Sequence, residues 1–106
     1  MLQFEQCALE YIGEHIDRTL PSQYLVSYRL QLLKDHDRRH GSDYYQTLYT
    51  YLLNERNIPR TSEQLIIHRT TLQYRLEKIR EITSFHLDDP DERLYLLISF
   101  RSMDRK

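Results

Sequence analysis

Apolar positions recur at three- and four-residue steps along most of the chain, and short polar or proline-containing breaks cut that recurrence into segments. In FEQCALEYIGEHI, Phe4, Ala8, Tyr11, Ile12 and Ile16 fall near one helical face, which predicts a helix over residues 4–16. DRTLPSQ breaks it, because Pro21 lacks an amide donor, and Ser22 is placed to cap the next segment. Over residues 22–38 the stripe is Leu25, Tyr28, Leu32 and Asp35 with Leu33 beside it, and Gly41 after His40 suits the left-handed residue that ends a helix. Ser42 or Asp43 is the expected cap of YYQTLYTYLLNER, whose face is Tyr45, Leu48, Tyr49 and Leu52. Asn57-Ile58-Pro59 is expected to stop that helix.

The clearest start signal lies in LDDPDERLYLLISF. Asp89 is the cap, Pro90 takes the first helical position with its φ preset, and Glu92 stands three residues after the cap. Leu94, Leu97, Ile98 and the stem of Arg101 are expected to face inward.

Residues 61–83, TSEQLIIHRTTLQYRLEKIREIT, hold two helical patterns side by side. Thr61 with Gln64 has the form of a capping box, opening a helix of about two turns with Leu65 and either Ile66 or Ile67 as its apolar contacts. His68-Arg69-Thr70-Thr71 offers a second start. From there Leu72, Leu76, Ile79 and Thr83 share one face, with Ile82 at its margin. Thr70, Tyr74, Glu77 and Glu81 lie opposite, flanked by Thr71, Gln73 and Lys78. Six helices in one all-α unit follow from the whole pattern.

A short helix bracing a longer one across a tight turn is the spacing of a helix-turn-helix, although no turn glycine is present. The second helix, about residues 69–82, would present its outward amino-terminal residues to the major groove. Thr70, Thr71, Gln73 and Tyr74 are hydrogen-bonding side chains suited to base edges or phosphates, and Arg69, Arg75 and Lys78 can neutralise phosphates beside them.

Charge sharpens this picture. The net charge is only −1, which argues against a general polyanion binder. Between Arg56 and Arg80, however, six basic residues face two acidic ones, a local +4 that leaves −5 for the remainder. A small basic element on an acidic body fits a directed nucleic-acid footprint. With 106 residues, two Gly and three Pro, a single helical domain is favoured over an all-β fold. Cys7 is the only cysteine, which excludes an internal disulfide and points to a reducing, cytoplasmic setting. No apolar run approaches the roughly 20 residues that span a bilayer, and MLQFEQCALE lacks the form of a signal peptide, so no membrane partner is expected.

The run from Thr47 to Phe100 resembles the carboxy-terminal DNA-binding domain of bacterial PucR/CdaR-type transcriptional regulators, which govern purine catabolism and sugar-diacid use. The resemblance is strongest in HRTTLQYRL (68–76), in LDDP (87–90) and at Arg93-Leu94, and LLKDHDRRHGSDYYQTL is similar to the lead-in of these domains. It implies a helix-turn-helix similar to that of the Fis-like DNA-bending proteins, with DNA contacts at His68, Arg69, Thr71, Tyr74 and Arg75. It further implies a lead-in over residues 1–41 packed on a DNA-binding domain of residues 42–106, double-stranded DNA as partner, a homodimer on DNA, and no cofactor or small-molecule site. The chain is expected to be the output end of a longer regulator. Two departures stand out: the family usually has Asn at Thr70 and Gly at Ser84.

Blander readings apply to several of these residues. His68 is as well suited to cap a helix as to touch DNA, and Arg75 to pair with a carboxylate as with a phosphate. The Tyr44, Tyr45, Tyr49 and Tyr51 cluster reads as core and rim packing. Capping explains the acidic LDDPDE stretch without a metal, and His36 with His40 lacks a third ligand for zinc. Cys7 is expected on an apolar helix face. No phosphate loop, nucleophile elbow or paired catalytic carboxylates are present, so no enzyme is expected. The competing reading is a helical module that docks a protein partner without touching DNA, motivated by the near-neutral charge and the tyrosine-rich helix.

Overall fold

The computed structural model describes residues 2–19 and 26–104, which form the helices α1 (Leu2–Thr19), α2 (Val26–His40), α3 (Tyr44–Leu53), α4 (Ile58–Leu65), α5 (Arg69–Thr83) and α6 (Pro90–Asp104). The expected break at Pro21, the cap at Ser22 and the contact of Leu25 lie outside the described residues, as does the side chain of Ile16. Helices α2, α3, α5 and α6 enclose one core, in which Leu33, Leu48, Leu72, Ile79, Leu96 and Phe100 are fully buried. The α3 tyrosines complete it: Tyr49 stacks on Phe100 at 4.4 Å and Tyr45 meets the same ring edge-on at 5.0 Å. These tyrosines are packing residues, as their spacing suggested.

Each helix end has an identifiable cause. Gly41, at φ +67°, ends α2 after His40. Asp43 occupies the cap position of α3 but makes no side-chain cap bond. Asp37, from the last turn of α2, does that work instead: its carboxylate accepts from the Tyr44 and Tyr45 amides at 2.9 Å each and from the Ser42 hydroxyl. Three donors on one carboxylate, two of them at the positive end of α3, fix the angle between α2 and α3. At the other end, α3 stops at Leu53, and Glu55 and Arg56 turn the chain with φ of +54° and +64°.

Four sequence expectations are corrected. First, Asn57-Ile58-Pro59 starts α4 rather than stopping α3. Asn57 Oδ1 accepts from the Arg60 amide at 2.9 Å, and Pro59 sits in the first turn, where its missing N–H is harmless. Thr61 is therefore buried inside α4, and no capping box forms; Gln64 Oε1 instead accepts from Asn54 Nδ2 at 2.7 Å. Second, Glu92 does not close back on its own cap. Asp89 accepts from the Asp91 amide, while Glu92 reaches the His86 amide at 2.6 Å.

Third, the inward stripe of α6 is Leu96, Ser99 and Phe100, and Leu94 is 57% exposed. Leu97, Ile98 and Arg101 are half-buried. Fourth, the stripes of the first two helices are rotated. In α2 the buried residues are Leu30 and Leu33, whereas Tyr28 and Leu32 are exposed. In α1, Phe4, Tyr11 and Ile12 are exposed and Ala8 is half-buried; the helix rests on α6 through Gly13, where an added Cβ would stand 2.8 Å from Ser102 Cβ. Cys7 is also exposed rather than turned inward.

Candidate nucleic-acid interface

The two helices of residues 58–83 are separated by a turn of three residues. Ile66 ends α4 in the left-handed conformation, Ile67 packs against the core, and His68 caps α5. Ile67 is thus the apolar contact of the pair, and Ile66 is 89% exposed. The chain bends sharply at this point, as a helix-turn-helix requires.

His68 caps through its side chain. Nδ1 accepts from the Thr70 amide at 3.1 Å and lies 2.9 Å from Thr70 Oγ1. Accepting from an amide requires an unprotonated Nδ1, so the ring carries its hydrogen on Nε2, which remains a free donor on an exposed residue. The structure therefore gives His68 its capping role directly and draws the Thr70 hydroxyl into the same contact.

Along α5, Leu72, Leu76, Ile79 and Thr83 are buried, the face its periodicity marked out. On the opposite side Arg69, Thr70, Thr71, Gln73 and Tyr74 are all exposed, with Tyr74 at 58%. Among the described residues, Arg69, Thr71 and Gln73 engage no side-chain partner. They form a continuous polar surface over the first turn and a half of the helix. Lys78 lies one turn on, 3.5 Å from Glu81 and 5.6 Å from the centre of the Tyr74 ring. The Glu81 carboxylate, and after it Tyr74, holds the Lys78 ammonium above the usual lysine range, so it stays cationic.

Arg75 is different. It is half-buried, and Nη1 donates to Thr47 Oγ1 at 3.0 Å. Its guanidinium is committed to a hydroxyl on α3, not to a neighbouring carboxylate. Arg75 therefore stands apart from the exposed group formed by Arg69, Thr71, Gln73 and Tyr74.

Sequence reasoning missed one support of this surface and misplaced another. Arg29 of α2 donates to the Thr83 carbonyl at 3.2 Å, and its guanidinium lies 4.6 Å from the centre of the Phe85 ring. It holds the trailing end of α5 from 54 residues away, a pairing that no local pattern reveals. The amino terminus of α4 is the other: it begins at Ile58 with Asn57 as cap, not at Thr61, and Arg60 stands exposed in its first turn. The sequence signal for it is Pro59, which suits the first turn of a helix as well as the end of one.

The surface is thus exposed, polar and locally basic, and it is built on a two-helix brace. Of the α3 tyrosines that suggested protein docking, Tyr45 and Tyr49 take no part in it, since both pack on Phe100. The profile of the PucR C-terminal helix-turn-helix domain matches residues 44–102. The chain is similar to the proline-responsive transcriptional activator PutR of Bacillus subtilis (strain 168), with 39% identity over 77 residues, 73% of this chain and 19% of PutR. It is 35% identical over 80 residues to the DNA-binding transcriptional activator AdeR of the same organism, 74% of this chain and 19% of AdeR. The carbohydrate diacid regulator of Escherichia coli (strain K12) is 46% identical over 41 residues, 39% of this chain and 11% of its own length. The chain thus spans about a fifth of PutR and of AdeR, 19% in each case. No solved structure matches it significantly.

Proposed function

The chain belongs to the PucR C-terminal helix-turn-helix family, and from that premise we propose that it reads specific sites on double-stranded DNA as the output domain of a bacterial transcriptional regulator. The observation that carries this reading is the outward face of the first turn and a half of α5, where Arg69, Thr71, Gln73 and Tyr74 stand exposed while the opposite face is locked in the core. Helix α5 lies in the major groove by its amino terminus. Thr71, Gln73 and Tyr74 meet base edges, and Arg69 and Lys78 meet phosphates on either side. His68 offers Nε2–H from the helix start, and Thr70 contributes through the His68 contact. Arg75 acts as a brace for α5.

The amino terminus of α4, with Arg60 exposed beside it, takes a phosphate of the flanking backbone, since the helix dipole and the guanidinium charge both favour an anion there. Residues 42–106 carry the contacting surface, and within the lead-in of residues 1–41 the helices α1 and α2 pack against the rest of the domain, α1 on α6 and α2 on α3, α5 and α6. Two such domains would occupy half-sites about one helical turn apart, a pairing suited to a cytoplasmic regulator that acts as a homodimer. PutR and AdeR are transcriptional activators, and that likeness supports a regulatory role here.

A fluorescence anisotropy titration against duplexes enriched from a random pool, at about 50 and 200 mM salt, tests the reading. Binding that weakens by orders of magnitude across that interval is expected for several neutralised phosphates. Weak binding without a salt slope would dismiss it in favour of a protein-docking module.

A further inference from the structure

Ile66 combines two features that the folded chain does not account for. Its φ is +56°, in the left-handed region where a β-branched side chain is sterically disfavoured. Its side chain is also 89% exposed, so no packing offsets the crowding. The turn itself needs only the backbone. The Ile66 amide donates to the Glu63 carbonyl at 3.2 Å and the Ile67 amide to the Ser62 carbonyl at 3.0 Å, bonds that glycine would make without strain. Gly41 does this at the end of α2, at φ +67°. A single exposed isoleucine is ordinary on a protein surface. One held in a left-handed backbone is not.

Its place decides what it meets. It stands two positions before the cap His68, and at roughly 3.5 Å per residue its Cα lies within about 7 Å of the start of α5. Ile67 turns inward between them, and Ile66 stays outside, exposed as Arg69, Thr70 and Thr71 at the start of α5 are. The major groove carries one apolar group on its base edges, the 5-methyl of thymine. We propose that Ile66 is a specificity-determining residue that packs on a thymine 5-methyl group at the edge of the site read by α5. This rests on the DNA-binding reading above.

The test uses the full chain and duplexes selected by it from a random pool, each prepared with thymine and again with uracil, which keeps the pairing edge and lacks the methyl. Ile66→Gly should melt at a higher temperature than the parent. It should nevertheless bind the thymine duplex about fourfold more weakly, the factor set by one buried methyl contact. The parent should lose a similar factor on uracil duplexes, and Ile66→Gly should lose much less. Arg69→Ala, the control, should bind both duplexes more weakly while keeping the parent's sensitivity to uracil. If Ile66→Gly binds as tightly as the parent, retains full sensitivity to uracil, or melts lower, the proposal is overturned. The loss in Arg69→Ala would then show that the DNA reading itself stands. If the parent binds no duplex, both fall together.

Discussion

Arg75 Nη1 and Thr47 Oγ1 are joined by a 3.0 Å hydrogen bond, and the Thr47 hydroxyl in turn donates to the Asp43 carbonyl. The middle of α5 is therefore tied to the first turn of α3 through two consecutive polar contacts in a half-buried setting. Such a relay sets the roll of α5 about its own axis, and hence which residues it presents outward. Arg75→Ala is expected to lower stability by about 1–2 kcal/mol, the range for losing one such bond. It should weaken DNA binding without changing the salt slope. Thermal melts together with anisotropy at several salt concentrations check this; a reduced slope would return Arg75 to the phosphate contacts.

Arg69 makes the opposite case. It is exposed and engages no side-chain partner among the described residues, so Arg69→Ala should leave the melting temperature nearly unchanged. Binding should weaken, and the slope of log K against log salt should become shallower by about 0.9, the value for one lost phosphate contact. Equal slopes for Arg69→Ala and the parent would remove that contact.

Thr71 and Tyr74 face outward from the same surface without anchoring the fold. Thr71→Ala or Tyr74→Ala is expected to reduce discrimination at one position of the bound site by roughly 1–3 kcal/mol. Selection of bound sequences with each variant reads this out. Preferences identical to the parent's would move base reading elsewhere on α5.

Ser84 ends α5 at φ +60°, with its amide donating to the Arg80 carbonyl at 2.8 Å. The side chain is exposed, so Ser84→Gly removes left-handed crowding and loses little else. A gain of about 0.5–1 kcal/mol is expected, with glycine's greater freedom in the unfolded chain offsetting part of the relief. Equilibrium denaturation measures it. This position also gives a physical reason for the glycine usual in the resembling domains.

Gly13 is where α1 meets α6. A Cβ there would lie 2.8 Å from Ser102 Cβ and 3.0 Å from the Ile98 carbonyl oxygen, one of them an unyielding backbone atom. Gly13→Ala should cost about 1–3 kcal/mol of α1 docking through overpacking. Faster cleavage within α1 under limited proteolysis, with α5 still protected, is the expected result.

The face of α5 was legible in sequence because a four-turn helix with one wholly apolar side fixes its own orientation: Leu72, Leu76 and Ile79 admit no other. The first two helices were not. Phe4, Tyr11, Tyr28 and Leu32 are apolar enough to suggest an inward stripe, yet α1 approaches α6 through a glycine and α2 turns Leu30 and Leu33 inward. A residue whose value lies in being small gives hydrophobic periodicity nothing to detect. The start of α4 was displaced because Asn57 and Thr61 are both good caps, and only the surrounding contacts of Asn54 and Gln64 decide between them. Arg75 with Thr47 and Arg29 with Thr83 join residues 28 and 54 apart, beyond the reach of any local pattern.

Leu30 and Leu33 have no exposed surface, and Asp37 receives two amides of α3. Excising everything before residue 42 would therefore open an apolar trough across α5 and α6 and fray the beginning of α3. The smallest fragment that keeps its reading head in shape must therefore include α2, which lies upstream of residue 44, where the match to the family profile begins.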